Sequence, residues 1–282
     1  MAELDRLLSL VPPPASPVDA DVDWTRVEAE LGLSLPGDFK EIVRRYGAGR
    51  FCDDLSTCAP DLLLEYNQGL PASWGPIRAE NPGEFEFPLF PEPGGLVIWG
   101  LDSIGGALCW LTEEAPEQWE VVLWKQRDGE FERWDCGAAG FLAAQIERRV
   151  AEAEDEGQAF GAPWFTPVRE LVYVYVRLSE GRLPYEQRLR ILRERLAPTA
   201  DRGSWAGHEG DRSRQDHFVA TEAEWQVTYE TAYGHQIRVG YPAADEDRAR
   251  TEILAAIEAM GCRLLSAQQD GRPVWDLPPG QE

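Results

Sequence analysis

Histidine, serine and carboxylate side chains can act as acids, bases, nucleophiles or metal ligands. In this chain, few of them have the spacing that such sites require. All three histidines, His208, His217 and His235, lie in the C-terminal half. The pairs His208-Glu209 and Asp216-His217 could together bind a metal, but their spacing matches no known ligand motif. A solvated polar loop is the better interpretation, and we expect no metal and no other cofactor.

The segment Leu101-Asp-Ser103-Ile-Gly105 is similar to the nucleophile elbow of hydrolases, in which a serine occupies a sharp turn. Leu101 stands where that motif has its first glycine, and the N-terminal half contains no histidine that could act as a base. Adjacent acids such as Asp53-Asp54 are uninformative, because chance alone brings carboxylates within about 5 to 10 Å of each other in so acidic a chain. We therefore expect no catalytic residues.

Negative charge is the most pronounced property of the composition. The formal net charge is −23, and residues 1–160 account for 31 acidic and 12 basic side chains, a net of −19. The remaining residues carry 19 acidic and 15 basic side chains, a net of −4. Such a field repels nucleic acid and anionic membranes and attracts basic partners. Ordinary solubility would also be served by a negative surface.

The elements that must position these residues begin with a helix-loop-helix. A short helix over residues 2–10 and a proline-rich spacer over 11–17 precede two amphipathic helices that end at Gly32 and Gly47. Three apolar runs within residues 96–124 then predict an antiparallel meander. Because both faces of these runs are apolar, the sheet needs a cover, which a helix over about residues 137–156 would help to supply.

Proline residues dominate the region between the second helix and the meander. They predict a loop-rich segment, and Glu84-Phe-Glu-Phe87 within it alternates like a half-exposed edge strand. The prolines are Pro71, Pro76, Pro82, Pro88, Pro91 and Pro93.

After about residue 160 the pattern starts again. It predicts a strand from Leu171, a helix over Pro184–Leu196, a polar loop over Thr199–Gln215, a strand pair around Gly234, a helix over Asp245–Met260 and a last short strand. This order, β-α-β-β-α-β, suggests a ferredoxin-like α+β domain. We therefore divide the chain into an N-terminal segment (1–17), a first α+β domain (18–157) and a second (164–282).

The cysteines and the N-terminus bear on the compartment. Five cysteines, at positions 52, 58, 109, 136 and 262, form neither a CxxC motif nor a regular framework, which indicates reduced thiols in a cytoplasmic protein. Residues 1–10 lack the basic and apolar regions of a signal peptide. No run approaches the roughly 18 apolar residues that would cross a membrane.

A set of short motifs carries a family resemblance. They are Trp24, Val27-Glu28, Leu31-Gly32, Leu35-Pro-Gly-Asp-Phe39, Tyr46-Gly-Ala-Gly49, Ile98-Trp-Gly-Leu-Asp102, Gly105-Gly106, Cys109-Trp110, Trp119-Glu-Val121 and Phe141-Leu142. In this order they resemble the signature of the SUKH superfamily, which includes bacterial immunity proteins and the yeast cell-wall assembly regulator. The resemblance covers about residues 18–150. It implies an α+β fold with an antiparallel sheet flanked by helices, and binding instead of catalysis, most often neutralisation of a secreted toxin, commonly a nuclease.

The leading hypothesis is an immunity protein of a polymorphic toxin system that binds a basic surface of its toxin, without nucleic-acid or membrane partners. The resemblance transfers no individual residues, so the expected binding surface rests on charge alone. It comprises Asp53, Asp54, Asp61, Glu65, Glu80, Glu84 and Glu86, flanked by Trp74. A non-catalytic scaffold or regulatory protein is the alternative, and an enzyme with its site in the C-terminal domain ranks last. The sequence indicates no oligomeric state.

Overall fold

The computed structural model describes residues 2–155, 162–208 and 211–275. The chain divides into two compact units, Met1–Val168 and Arg169–Glu282. Each unit contains one seven-stranded antiparallel sheet with helices, which confirms the predicted α+β class. The predicted end of the first domain, at residue 157, lies outside the described residues.

Five helices and seven strands form the described part of the first unit. The helices are α1 (Ala2–Leu10), α2 (Trp24–Leu31), α3 (Gly37–Tyr46), α4 (Pro60–Glu80) and α5 (Ala138–Asp155). The strands are β1 (Gly49–Phe51), β2 (Leu55–Thr57), β3 (Leu96–Leu101), β4 (Ala107–Leu111), β5 (Glu120–Lys125), β6 (Glu130–Trp134) and β7 (Phe165–Pro167). Their order in the sheet is β6-β5-β4-β3-β2-β1-β7, so the predicted meander of β3 to β5 is confirmed. The first strand after the predicted boundary, β7, pairs with β1 of this sheet.

One face of the sheet is covered by α3 and α5, as the apolar periodicity predicts. The stacked rings of Trp99 and Trp110 have centroids 5.6 Å apart and lie on this face. Phe39 of α3 meets Trp110 edge-on at 4.9 Å, and Phe141 of α5 meets Trp99 at 6.2 Å. All four side chains are fully buried, so the predicted helix-loop-helix and closing helix supply half of the required cover.

The other face is covered by α4, where the prolines predicted a loop; that prediction is wrong. Pro71 and Pro76 lie inside this 21-residue helix, although each removes one backbone hydrogen bond. Leu70 and Trp74 belong to its inner face, and the Trp74 ring packs 4.6 Å from that of Trp124 on β5. Burial of this face favours the helix despite the prolines, because tertiary packing routinely overrides local propensity.

The predicted edge strand at Glu84–Phe87 is also wrong. Pro82–Glu84 forms a single 3-10 turn, and residues 85–87 belong to no strand. The rings of Phe85 and Phe87 instead pack on Trp124 and Phe131, with centroids 6.0 and 5.5 Å apart. The alternation of acidic and aromatic residues therefore reflects packing onto the second face of the sheet.

A single polar side chain of α4 completes the hydrogen bonding of β3. The short β2 pairs with β3 only at Gly100 and Leu101, which leaves Ile98 without a neighbouring strand on that side. The buried Asn67 takes the place of that strand: its Oδ1 accepts from the Ile98 N–H and its Nδ2 donates to the Ile98 carbonyl, both at 2.8 Å. This pairing satisfies two backbone groups that would otherwise be buried without partners.

Two carboxylates within the motifs that resemble the SUKH signature connect the helices α2, α3 and α5. Glu28 Oε1 accepts from the Leu35 N–H at 2.7 Å and from Lys40 Nζ at 2.5 Å, which ties α2 to α3. Burial acts to raise the pKa of Glu28, but these two hydrogen bonds outweigh burial and lower it below its ordinary value. Asp38 Oδ2 accepts from the Ala139 N–H at 3.0 Å and so caps the start of α5.

Within the residues that the structure describes, the second unit contains two helices and seven strands. They are α6 (Tyr185–Arg195) and α7 (Glu246–Ala259), and β8 (Val172–Leu178), β9 (Thr199–Ala206), β10 (Arg214–Ala220), β11 (Trp225–Glu230), β12 (Gln236–Tyr241), β13 (Leu264–Gln269) and β14 (Arg272–Pro273). The sheet order is β14-β13-β8-β12-β11-β10-β9. Its central part, β13-β8-β12-β11, is consistent with the predicted ferredoxin-like arrangement.

The polar loop predicted over Thr199–Gln215 is wrong. The segment contains β9 and the start of β10, which pair with each other through a bulge beside His217. These strands follow α6 and extend the ferredoxin-like sheet at one edge. An edge strand has one open side and few buried residues, so β9 lacks the apolar alternation that marks the other strands.

We predict that Asn67→Ala lowers the free energy of unfolding of the first unit by about 3 kcal/mol, because it leaves two buried backbone groups unpaired. Urea denaturation of the full chain measures the loss, and hydrogen exchange at the Ile98 amide localises it. Gln68→Ala, an exposed neighbour on the same helix, should change stability by less than about 0.5 kcal/mol. Unchanged exchange at Ile98 in Asn67→Ala would contradict the assigned role.

We also predict that Glu28→Gln destabilises the first unit by about 1 to 2 kcal/mol at pH 7. Since the folded-state pKa of Glu28 is lowered, its contribution is complete above the ordinary glutamate value and is lost as the pH falls through the folded value. The difference between parent and variant should therefore shrink below about pH 4.3 and vanish at lower pH.

The matched control is Glu30→Gln on the same helix, where an exposed pair with Arg26 contributes little. Thermal unfolding at a series of pH values compares the three proteins. A Glu28→Gln difference that stayed constant from neutral to strongly acidic pH would show that the carboxylate charge is not responsible.

Candidate functional site

The seven carboxylates of the expected binding surface lie in three places. Asp53 and Asp54 occupy the turn between β1 and β2, while Asp61 and Glu65 project from the first turns of α4. Glu80 ends α4, and Glu84 and Glu86 follow it. Asp61 and Glu80 are nineteen positions apart along the helix, which corresponds to a distance of about 28 Å. The structure therefore does not unite the seven in one compact patch.

Ion pairs distinguish two members of this set from the rest. Asp54 contacts Arg149 at 2.9 Å and also accepts from the Ser103 hydroxyl, and Asp61 contacts Arg26 at 2.9 Å. The other five form no ion pair within residues 2–155, 162–208 and 211–275. We call them the unpaired carboxylates: Asp53, Glu65, Glu80, Glu84 and Glu86. Their negative charge is available to a partner.

Three unpaired carboxylates follow one another at the C-terminal end of α4, and we call Glu80, Glu84 and Glu86 the Glu80 patch. All three are exposed. Glu84 and Glu86 alternate with the phenylalanine rings that pack on the sheet, so the backbone beneath them is anchored to the core. The patch is thus a fixed group of negative charges on the surface of the first unit.

Trp74, which is expected to flank the acidic surface, lies on the inner side of α4 against the sheet. Its ring is half-buried and lies 4.6 Å from Trp124 and 6.2 Å from Phe85. It joins α4 to the sheet and to the segment that carries the Glu80 patch. Its contribution to any binding surface is to support that patch.

A small cavity of about 190 Å³ beside the turn between β1 and β2 escaped prediction. Cys52, Asp54, Gln145 and Arg149 are among its lining residues, and the Gln145 amide nitrogen is buried without a partner in the described chain. Cys52 and Asp53 have φ angles of 52° and 55°, which makes this a turn of the kind that normally contains Asn-Gly. Nothing in the sequence around Cys52 and Asp53 indicates this turn or the cavity beside it. The volume of the cavity suits at most one small polar group.

His235 and Ser103 are engaged in local contacts. The two ring nitrogens of His235 contact the Ser179 carbonyl at 2.8 Å and the Tyr229 hydroxyl at 2.9 Å. Burial, together with the nearby Arg188 cation, lowers the pKa of His235. Ser103 belongs to the turn that Asp102 closes by accepting from backbone amides.

Possible ligands for a metal are dispersed in the part of the chain that the structure describes. There, no three histidine, cysteine, aspartate or glutamate side chains come together as a metal site would require. His217 contacts the Thr228 hydroxyl at 3.0 Å, and Glu209, the partner expected for His208, lies outside the described residues.

The five thiols are free, and four of them are buried. Burial raises the pKa of Cys58 to about 12 and that of Cys136 to about 11. Because the thiolate is the reactive form, these two side chains are poor nucleophiles near neutral pH.

The helices of the described chain are all too short or too polar to cross a membrane. This finding agrees with the absence of a long apolar run from the sequence.

Comparison with known proteins yields a match for the first unit. The family model described as SUKH_6, SMI1-KNR4 cell-wall, matches residues 21–142, which include α2 to α4, β1 to β6 and the start of α5. No family model matches the C-terminal region. No curated protein and no solved structure matches the chain significantly. By the family match and by its sheet flanked with helices, the chain carries a domain of the SUKH superfamily in its first unit.

Proposed function

We propose that this protein is a cytoplasmic immunity protein of a bacterial toxin system, and that its acidic first unit binds and blocks a basic protein toxin. A nuclease is the toxin class that fits best, since its substrate site must attract phosphates. The observation that carries the proposal is the Glu80 patch on a SUKH domain. Its three carboxylates are exposed on an anchored segment, and they form no ion pair with any residue that the structure describes.

Anchoring matters because binding orders the side chains at an interface. The rings beside Glu84 and Glu86 already fix their backbone against the sheet. Less conformational entropy is then lost on binding. Negative charge on a rigid surface accelerates association with a basic partner and excludes partners of the wrong charge.

Binding is favoured over catalysis by the state of the reactive side chains. His235 has contacts at both ring nitrogens, and Ser103 donates to Asp54 in a turn. The first unit contains no histidine to act as a general base. The chemistry of the first unit is therefore that of a charged surface.

A regulatory scaffold is the second candidate. The presence of a separate second unit with its own sheet favours it, because two modules could bind two partners. The position of the gene separates the candidates: an immunity gene lies beside the gene of its toxin. Co-expression with that toxin should restore growth, and the two proteins should co-purify; failure of both tests would reject the immunity function.

Once a toxin is identified, we predict that Glu80→Lys, Glu84→Lys and Glu86→Lys in combination slow its association at least ten-fold at low salt. The difference should shrink at high salt, where exposed charges are screened. Stopped-flow or surface-plasmon measurements of association give the rates.

The matched control reverses Glu113, Glu114 and Glu117, which are also exposed and free of ion pairs in the described chain. They lie in the connection between β4 and β5. Equal slowing by both triple variants would mean that only total charge matters, and would remove the Glu80 patch from the interface.

A further inference from the structure

The second unit contains a buried arginine without a counter-ion. Arg188, in the first turns of α6, is only 7% exposed, and its Nε is buried without a hydrogen-bond partner. No carboxylate of the described chain forms an ion pair with it, although Arg190, Arg193 and Arg195 on the same helix are all paired. A buried charge is costly unless an opposite charge or several hydrogen bonds compensate it.

The groups that pack around Arg188 are neutral. Its Cζ lies 6.0 Å from the centre of the Tyr229 ring. Burial raises the pKa of the neighbouring Cys262 thiol, which therefore carries no charge near neutral pH. Burial and the Arg188 cation lower the pKa of His235, so this ring is neutral as well. The positive charge of Arg188 is thus left without compensation by its neighbours.

The guanidinium of Arg188 is directed at the loop that precedes α6. Side chains on a helix lean toward its N-terminus. Accordingly, Nη1 of Arg188 lies 3.2 Å from the point that a Cβ of Gly181 would occupy. Because Gly181 has no such atom, the end of the arginine reaches the half-buried backbone of this loop.

Backbone donors are concentrated in the same loop. The N–H groups of Gly181, Arg182 and Leu183 donate to no acceptor among the described residues. Pro184, which caps α6, has no side-chain oxygen for the free N–H groups of the first turn. Such N–H groups favour an anion through direct hydrogen bonds and through the helix dipole. We call the loop 181–183, the first turn of α6 and the Arg188 guanidinium the Arg188 site.

The charges beside the Arg188 site are mainly positive. Arg182 belongs to the loop, and Arg263 is joined to the residue before Glu180 by two hydrogen bonds of 2.9 Å. Both arginines are exposed and form no ion pair in the described chain. Glu180 is the one carboxylate that opposes an anion here, because Glu186 at the start of α6 is paired with Arg214 at 2.5 Å.

We propose that the Arg188 site binds a phosphate group. The terminal nitrogens of Arg188 donate to two phosphate oxygens, in the bidentate manner that suits a guanidinium. The N–H groups of the loop and of the first turn donate to the remaining oxygens. A carboxylate has only two oxygens and cannot use both sets of donors, whereas phosphate has three or four.

The net charge of −23 acts mainly elsewhere in the sequence. Residues 1–160 account for −19 of it, and salt screens exposed charges beyond about 8 Å at physiological ionic strength. The local balance of Arg182, Arg188 and Arg263 against Glu180 therefore decides whether an anion binds at contact range.

The test is an NMR titration of the full chain with inorganic phosphate at low salt. His235 reports binding, because its Nδ1 contacts the Ser179 carbonyl at 2.8 Å beside the loop. We expect its ring signals to shift with a dissociation constant of about 1 mM or below. A parallel titration with glycerol 3-phosphate shows whether the site takes free phosphate or the phosphate of a larger molecule, since the tighter ligand identifies the source.

Arg188→Met keeps the length of the buried stem and removes the charge, so it should weaken phosphate binding about ten-fold or more. Arg190→Met is the matched control: Arg190 is exposed on the same helix, 3.8 Å from Glu194, and its loss should leave the affinity unchanged. Glu180→Gln should strengthen binding about two-fold or more, because it removes the opposing charge.

Circular dichroism shows whether each variant is folded. If Arg188→Met does not fold, Arg188→Lys replaces it, and the loss of the planar fork should weaken binding about three-fold. Absence of saturable phosphate binding by the parent chain would overturn the proposal, as would equal losses in the Arg188 and Arg190 variants. Acetate bound as tightly as phosphate would refute the assignment to a phosphate group.

Discussion

The first unit depends on the closure of the second face of its sheet by α4. A sheet that is apolar on both sides is stable only when both faces are shielded from water. The helices α3 and α5 cover one face, and the chain between β2 and β3 covers the other. The helix α4 provides apolar side chains and also, through Asn67, the backbone partner that Ile98 lacks. The segment after α4 continues the cover with two phenylalanines, and it is this packing that fixes the Glu80 patch.

Local sequence signals were sufficient where they agreed with tertiary packing. The meander, the helix-loop-helix and α5 follow from apolar periodicity. By contrast, α4 contains two prolines, and only the sheet beneath it explains why it is helical. Likewise β9 is a strand because β10 pairs with it. The composition predicts that most carboxylates are exposed to solvent. It does not predict the ion pairs of Asp54 and Asp61, because the arginines that form them are distant in the sequence.

The residues that identify the superfamily perform structural tasks. Glu28 and Asp38 bind backbone amides of neighbouring elements. Gly47, at a φ of 70°, lies so close to Val18 that a Cβ would fall 2.0 Å from its carbonyl oxygen. A signature of this kind specifies the scaffold and leaves the partner undefined. The partner must be inferred from the surface, which is why the exposed charges of the first unit support the proposed function.

Phe85 and Phe87 alternate with Glu84 and Glu86, and the two pairs of positions are under different constraints. Inward positions are constrained by the volume beneath them, whereas outward positions contribute little to folding and can change freely. The outward side chains can therefore be replaced one at a time without passing through misfolded intermediates. The packing geometry thus leaves the exposed positions free to vary and constrains the positions that support them.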